Sequence, residues 1–427
     1  MRFQTICVLG LGYIGLPTAS TFANSGLKVT GVDVNERIVA GLRQGELHIE
    51  EPGLRTLVQS ALASGNLRIA AQPEPADAFL IAVPTPVRFD KRADLSAVIA
   101  AAESIVPHLR RSNLVVLEST SPPRTTVDVI APILERSGLR AGVDFHLAYS
   151  PERVLPGQIL RELVENARVI GGFDRASAEA GRDLYAAFVR GEIVLTDATT
   201  AEMVKLMENT YRDVNIAAAN EFARLADRFG VDVWEAIALA NRHPRVEILR
   251  PGPGVGGHCI SVDPWFLVES APELTALIRQ ARLVNDAQPG FTAGLIERAL
   301  GGLRGRSIAA LGLAYKPDVD DLRESPAIEV ARLLAQGGGR VTTYEPFAPE
   351  TVVPGCQSAA SLEAVLKGAE AVVLLADHRA FIDLDPARVA ALMPGRLAID
   401  TRGRWDRIRW TAAGFHLFVL GAGERDG

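Results

Sequence analysis

The sequence predicts two doubly wound α/β domains joined by a helical connector with a long central helix, and three observations carry that prediction. Short apolar runs alternate with helix-length segments over residues 1–197. A run of helix formers without Pro or Gly then occupies Ala198–Phe229, and further helical segments follow to about residue 300. A second series of apolar runs fills residues 301–427. At 427 residues the chain is too long for one ordinary domain, and 48% hydrophobic residues can fill more than one core.

The elements read in order. TICVLGLGYIGLPTASTFANSGLKVTGVDV is strand, tight glycine turn, a helix ending near Gly26, and strand. ADAFLIAVPTP, NLVVLEST and FHLAYSPER continue as short strands that end in small or polar residues, which predicts a parallel sheet. RSIAALGLAYKP, GGRVTTYEP, AEAVVLLAD and GRLAIDTRG repeat the pattern at the far end, with SPAIEVARLLAQGG as an intervening helix. No short-period repeat is present, so the large-scale echo is one α/β domain at each end.

Bulk properties exclude several classes. A net charge of -6 without a long Lys/Arg cluster lacks the footprint of a nucleic-acid or membrane-surface binder. The cysteines, Cys7, Cys259 and Cys356, are far apart and odd in number, which argues against a disulfide framework or a zinc site and fits a reducing cytoplasm. No metal is expected. The apolar start is broken by Gly10, Gly12 and Gly15 without a cleavage-site pattern, so no signal peptide is expected. No apolar stretch reaches the roughly 18 residues that a membrane helix needs.

Three places carry chemistry. In Gly10-Leu-Gly12-Tyr-Ile-Gly15 the first glycine permits a sharp turn and the second lets backbone approach a pyrophosphate, while the third allows close helix–sheet packing. Asp33, at the end of the next strand, stands where an acid binds ribose hydroxyls and repels a 2′-phosphate, so NAD is favoured over NADP. The alternative is a glycine turn that serves packing alone. Cys7 lies in an apolar strand and reads as a core hydrophobe. Cys259 lies in PGPGVGGHCISVDP, where little apolar packing awaits a thiol; composition leaves a reactive thiol and a structural loop equally open. If the following segment is helical, Asp263 lies one turn from Cys259 on the same face. On the long run, Lys205 and Asn209 share a face, either solvated or, given the apolar neighbours of Lys205, partly buried with a task.

GLGYIGLP, LIAVPTP, LESTSPP, YSPERVLPGQ, TAEMVKLMENTYRDVNIAAANE, RHPRVEILRPGPGVGGHCISVDPWF and GLAYKPDVDDLRESPA together resemble the UDP-glucose/GDP-mannose dehydrogenase family over nearly the whole chain. YSPERVLPGQ, ENARVIGG and NRHPRVEILRPGPGVGGHC look most like the branch that acts on UDP-N-acetyl-D-mannosamine. The resemblance implies two Rossmann-like domains, an NAD-binding one at 1–197 and a UDP-sugar-binding one at 301–427, with a connector and dimerisation region at 198–300. It implies four-electron oxidation of a sugar C6 alcohol to a carboxylate for surface polysaccharide synthesis, in a homodimer with a shared substrate site.

It also implies roles for residues. Cys259 would be the nucleophile, Lys205 and Asn209 would stabilise an oxyanion, and Asp263 would orient Lys205 or a water. Glu152 would be the base for thioester hydrolysis, and Thr120 a hydroxyl near the reacting centre or one bonding to its own loop. Tyr13, Ile14, Thr85 and Thr120 join the glycines and Asp33 at the cofactor. Arg153, Lys205, Asn209, Gly256, Lys316 and Arg323 join the substrate, although Lys316 and Arg323 have an alternative as salt bridges with Asp318, Asp320 or Asp321. The glycines of PGPGVGG would leave room for the sugar. Where glucose-specific relatives carry an arginine from a neighbouring subunit this chain has His243, flanked by Arg242 and Arg245. With His258 before the cysteine and ISVDPW after it, the segment reads as a mark of an N-acetylhexosamine substrate. Rival readings are the gluco epimer, a two-electron hydroxyacid-type dehydrogenase, and a non-catalytic sensor of NAD or a nucleotide sugar.

Overall fold

The structure, a computed structural model, describes residues 3–257 and 259–423. The chain divides into two compact units, Met1–Glu208 with Trp265–Leu274, and Asn209–Pro264 with Thr275–Gly427.

The first unit is built on an eight-stranded sheet. Its strands are β1 (Thr5–Leu9), β2 (Lys28–Val32), β3 (Leu67–Ala70), β4 (Ala78–Ile81), β5 (Leu114–Leu117), β6 (His146–Tyr149), β7 (Arg168–Gly172) and β8 (Ile193–Asp197), in the order β3-β2-β1-β4-β5-β6-β7-β8. β4 and β5 are buried along their whole length, as expected of strands covered on both faces. Successive side chains feed opposite layers: Ile6, Val8 and Leu80 join one core, Cys7, Phe79 and Ile81 the other. Strand order reverses between β1 and β4, so the carboxyl end of β1 opens onto a crevice where α/β sheets bind ligands. From there the chain enters helix α1 (Gly15–Asn24).

The sheet departs from the parallel expectation at one edge. β7 runs antiparallel to β6, pairing Ala148 with Gly172 and Tyr149 with Gly171, and β8 follows β7 in parallel. The loop after β6 and the short helix Ile159–Glu165 keep the connection at one end of the sheet, and a connection that does not cross over delivers an antiparallel strand. Helix α2 (Arg175–Tyr185) packs back on β6 and β7.

Helix α3 (Ala198–Phe229) matches the predicted span. It is followed by α4 (Val233–Ala240), α5 (Asp263–Ser270), α6 (Ala276–Asp286) and α7 (Gln288–Leu300). In the second unit a buried polar chain ties α3 to the start of the glycine-rich loop. Arg282 on α6 pairs with Asp213, Asn285 Nδ2 donates to Asp213 Oδ1 at 2.8 Å, and Asn220 Nδ2 donates to Asn285 Oδ1 at 2.9 Å. Gly252 N–H donates to Asn220 Oδ1 at 3.0 Å, and Gln288 Nε2 donates to the Gly252 carbonyl at 3.0 Å. Buried groups linked to one another in this way fix one backbone path, which sets the register of everything downstream in the loop.

The second unit's six-stranded parallel sheet contains β9 (Ser307–Leu311), β10 (Arg340–Tyr344), β11 (Gln357–Ser358), β12 (Ala371–Leu374), β13 (Leu397–Asp400) and β14 (His416–Val419). Its order, β11-β10-β9-β12-β13-β14, repeats that of the first unit through β6. Helix α8 (Pro326–Gln336) is the predicted SPAIEVARLLAQGG helix. Among the described residues no helix is long and apolar enough to cross a membrane.

Candidate active site

The three glycines after β1 have separable roles. Gly10 sits at φ +92°, its N–H donates to the Val32 carbonyl at 2.8 Å, and a Cβ there would stand 2.5 Å from the Ala82 carbonyl oxygen. A Cβ at Gly15 would stand 1.8 Å from the Gly10 carbonyl oxygen. At Gly12 an added Cβ would meet nothing within 4 Å among the described residues. Packing therefore requires Gly10 and Gly15 but not Gly12, and the open space over Gly12 suits a ligand that touches backbone. Tyr13 and Ile14, both half-buried, complete the turn. Ile14 is the N-cap of α1, which has neither a side-chain cap nor an acid in its first turn among the described residues, so its amide end stays electropositive. Asp33 Oδ2 accepts from the Leu11 N–H at 3.0 Å and Oδ1 from the Asn35 N–H at 2.8 Å, which fixes the carboxylate beside the turn. Beyond β4 and β5 the loops meet: Thr85 Oγ1 donates to the Thr120 carbonyl at 2.6 Å. These residues fit an NAD molecule.

Glu152 and Arg153 follow β6 and are pulled apart by opposite partners. Glu152 Oε2 accepts from Arg168 at 2.7 Å and its Oε1 from the Arg153 N–H at 2.6 Å. The Arg153 guanidinium pairs with Glu208 at 2.7 Å and donates to the Ala167 carbonyl at 3.1 Å. Behind Arg168 stand Glu118 and Tyr185, both buried. Arg168, Glu118 and Tyr185 are neighbours of Glu152 that sequence reasoning misses. ENARVIGG stands out in the sequence only by resemblance, and a charged residue opening an apolar strand is its one independent signal.

Lys205 on α3 is only 8% exposed, which excludes the solvated-face alternative, and Asn209 one turn later is equally buried. In the second unit the N–H groups of Val262 and Asp263 donate to the Cys259 carbonyl at 3.0 and 2.8 Å, so the first turn of α5 reaches back to the cysteine. Asp263 is 2% exposed, and Asn209 Nδ2 donates to its Oδ2 at 2.6 Å. The other thiols are occupied with packing: burial pushes Cys7 up to about 11 and also raises Cys356. His258 lies outside the described residues.

One expectation is corrected. The glycines before Cys259 do not leave open room. A Cβ at Gly254 would stand 2.7 Å from Pro326 Cβ, at Gly256 2.6 Å from Tyr315 Cβ, and at Gly257 2.9 Å from the Tyr315 ring. These positions are bare because the cysteine loop lies flat on the segment after β9, to which Gly257 N–H also bonds at the Arg323 carbonyl, 2.9 Å. That segment carries Lys316, half-buried, and Arg323, whose guanidinium is held by both oxygens of Asp321. Arg323 thus makes one of the expected salt bridges, to Asp321. Arg242, His243 and Arg245 are exposed in the turn after α4, where the Arg245 N–H donates to His243 Nδ1 at 3.4 Å.

Comparison with known proteins gives a consistent picture. Residues 4–189 match the model of the UDP-glucose/GDP-mannose dehydrogenase family, NAD binding domain; residues 199–287 match the family's central domain and 309–407 its UDP binding domain. The chain is 50% identical to an NDP-N-acetyl-D-galactosaminuronic acid dehydrogenase of Ralstonia solanacearum, over 96% of this chain and 98% of the relative. It is 48% identical to a UDP-N-acetyl-D-mannosamine dehydrogenase of Methanocaldococcus jannaschii, over 99% and 97%. A solved UDP-D-ManNAc dehydrogenase from Pyrococcus horikoshii superposes with a TM-score of 0.92 at 43% identity, covering 98% of this chain and 99% of that one.

Proposed function

The chain belongs to the UDP-glucose/GDP-mannose dehydrogenase family and is an NAD-dependent UDP-sugar dehydrogenase; from that premise we propose that it oxidises the C6 alcohol of UDP-N-acetyl-D-mannosamine to the uronate, by way of a covalent intermediate on Cys259, for surface polysaccharide synthesis. The observation that carries the mechanism is Cys259 at the foot of α5, followed by the buried Asp263–Asn209 pair on the helix face that also bears Lys205. The mannosamine substrate is supported by the activity for which the similar Methanocaldococcus and Pyrococcus proteins are named.

When bound at the β1 turn, NAD supplies the hydride acceptor for both oxidations. An aldehyde at C6 has no carbinol hydrogen to give until a nucleophile adds, and the Cys259 sulfur forms that bond to carbon. The Lys205 ammonium and the Asn209 amide donate to the C6 oxygen as charge develops on it, and Asp263 fixes the amide. Loss of the second hydride leaves a thioester. Water then adds to its carbonyl carbon, Glu152 takes a proton from that water, and the C–S bond breaks with its electron pair left on sulfur. Thr120 supplies a hydroxyl near the reacting centre. Arg153, Lys316 and Arg323 hold the nucleotide sugar, Gly256 contributes backbone alone, and the exposed Arg242–Arg245 turn reaches the substrate of a second copy in a homodimer. In this reading residues 1–197 bind NAD, 198–300 connect and dimerise, and 301–427 bind the UDP-sugar.

A second reading takes the N-acetyl-D-galactosamine epimer as substrate, favoured by the activity for which the Ralstonia relative is named. A panel of UDP-N-acetylhexosamine epimers, read by NADH and uronate, separates the two: the manno epimer is expected to lead in kcat/KM by about tenfold or more, which is roughly 1.4 kcal/mol. Two NADH per uronate are expected, and Cys259→Ala should lower the rate about 1,000-fold. Full-rate uronate formation by Cys259→Ala, or one NADH per substrate, would overturn the covalent mechanism.

A further inference from the structure

Arg168 opens β7 with its side chain 5% exposed. The antiparallel register that pairs Tyr149 with Gly171, carried on past the end of β6, sets Arg168 opposite Glu152. The guanidinium meets that position with Nη2 donating to Glu152 Oε2 at 2.7 Å. Its Nη1 donates to Ser150 Oγ at 2.9 Å and lies 3.5 Å from Glu118 Oε1. Its plane is backed by the Tyr185 ring, 4.3 Å from the guanidinium carbon to the ring centroid, and the Tyr185 hydroxyl donates to the same Glu118 oxygen. Every group in this cluster belongs to the first unit.

The cluster holds one carboxylate more than its single cation can neutralise. Burial pushes Glu118 up to about 7, with Glu152 adding to the rise and Arg168 opposing it. Burial thus favours the protonated form of Glu118, and the short bond of Arg168 goes to Glu152. Stability alone does not call for such an arrangement, because a buried ion pair is worth no more than a well-packed apolar substitute. What it provides is a fixed direction: with Arg168 on one oxygen and the Arg153 amide on the other, the Glu152 carboxylate cannot rotate.

We infer that Arg168, braced by Glu118 and Tyr185, is a positioning residue for the hydrolytic half of the reaction, aiming a free lone pair of Glu152 at the water that attacks the thioester. The inference rests on Glu152 as the base of that step. In the step the water oxygen bonds to the carbonyl carbon, one water proton passes to Glu152, and the C–S bond breaks with the electron pair staying on Cys259. Arg168 touches none of the reacting atoms.

The test follows full-length enzyme turning over UDP-N-acetyl-D-mannosamine and NAD, quenched in acid and weighed by intact mass spectrometry. Glu152→Gln is expected to accumulate a sugar-nucleotide adduct that is absent from Cys259→Ala. Arg168→Met should accumulate the same adduct, with kcat down about 100-fold and both KM values within about threefold, and Arg168→Lys should recover part of the rate. Tyr185→Phe, which deletes only the brace hydroxyl, keeps the test available if Arg168→Met does not fold; a severalfold loss of kcat with detectable adduct is expected. Adduct in Glu152→Gln but in none of the Arg168 and Tyr185 variants would overturn the positioning role and leave the base assignment standing. No adduct in Glu152→Gln would overturn both. A KM rise that accounts for the loss in the Arg168 variants would also overturn the inference, pointing to substrate binding.

Discussion

The two sheets use the same device at the end of their first strand and put it to different ends. Gly10 and Gly312 both follow that strand at positive φ, +92° and +87°, and both N–H groups donate to the last carbonyl of the neighbouring strand, Val32 at 2.8 Å and Tyr344 at 2.9 Å. In both, the acid after that neighbour accepts from the turn: Asp33 from the Leu11 N–H, and Glu345 from the N–H groups of Leu313 and Ala314. Beyond this they diverge. The first turn enters α1 at Gly15 with an uncapped amide end, whereas the second runs on to Pro326, where the Ser325 side chain caps α8. Glu345 is only 3% exposed and is closed over by His378, whose Nε2 bonds to Glu345 Oε2 at 3.0 Å and whose Nδ1 accepts from the Asp318 N–H at 2.8 Å. That second bond places the ring proton on Nε2. One acid is left at the edge of a ligand crevice. The other anchors the segment that carries Lys316 and Arg323 and supports the cysteine loop.

The largest effect that could break this comparison is steric. Gly15→Ala and Gly312→Ala place a methyl 1.8 Å from the Gly10 carbonyl oxygen and 2.5 Å from Ala376 Cβ, and each should cost at least about 2 kcal/mol in urea unfolding. Gly12→Ala should leave stability unchanged and raise the KM for NAD about tenfold or more. Equal destabilisation by all three would reduce the β1 turn to packing.

Buried acids sharpen the contrast by the sign of their pH dependence. Glu118 in the first unit is raised by burial from its ordinary 4.5 to about 7, so its contribution to stability is full below about 4.5 and is lost as pH rises to about 7. Burial also pushes Glu345 up, but His378 and the turn amides outweigh it and hold the carboxyl below its usual value; its contribution is present above the unfolded value and is lost as pH falls through the folded one. Unfolding measured from about pH 2 to about pH 8 should therefore move in favour of Glu118→Gln, relative to the parent, as pH rises from 4.5 to about 7, and against Glu345→Gln as pH rises towards 4.5. Parallel curves for the two variants would contradict the assigned partners. The smallest effect concerns the helix ends. Ser325→Ala should cost about 1 kcal/mol, while no side-chain cap exists at α1 to lose among the described residues.

Much of the fold is legible in the sequence. The span of α3, the strands β1, β2, β4, β5, β6, β9, β10, β12 and β13 through their apolar runs, and the candidate thiol among glycines follow from local propensity and periodicity, which depend on neighbours along the chain. The edge strands β3, β8, β11 and β14 and the reversed β7 are not legible, because pairing partners and direction are set by where a connection returns the chain. The same limit hides the glycines' purpose. Composition marks Gly254, Gly256 and Gly257 as permissive, but whether the space at each is kept for a ligand or already filled by Tyr315 and Pro326 depends on residues far away in sequence.

By itself, then, the sequence determined the fold class, the glycine turn after β1 with Asp33 at the end of β2, and the residue types available for chemistry at positions 152, 205, 209, 259 and 263. Only the tertiary structure decided which of them are held and by what: Asn209 on Asp263 and Glu152 on Arg168. The physical reason is that charge and hydrogen-bond energies become large only where packing excludes water, and which groups share a dry environment is fixed by long-range contacts rather than by spacing along the chain.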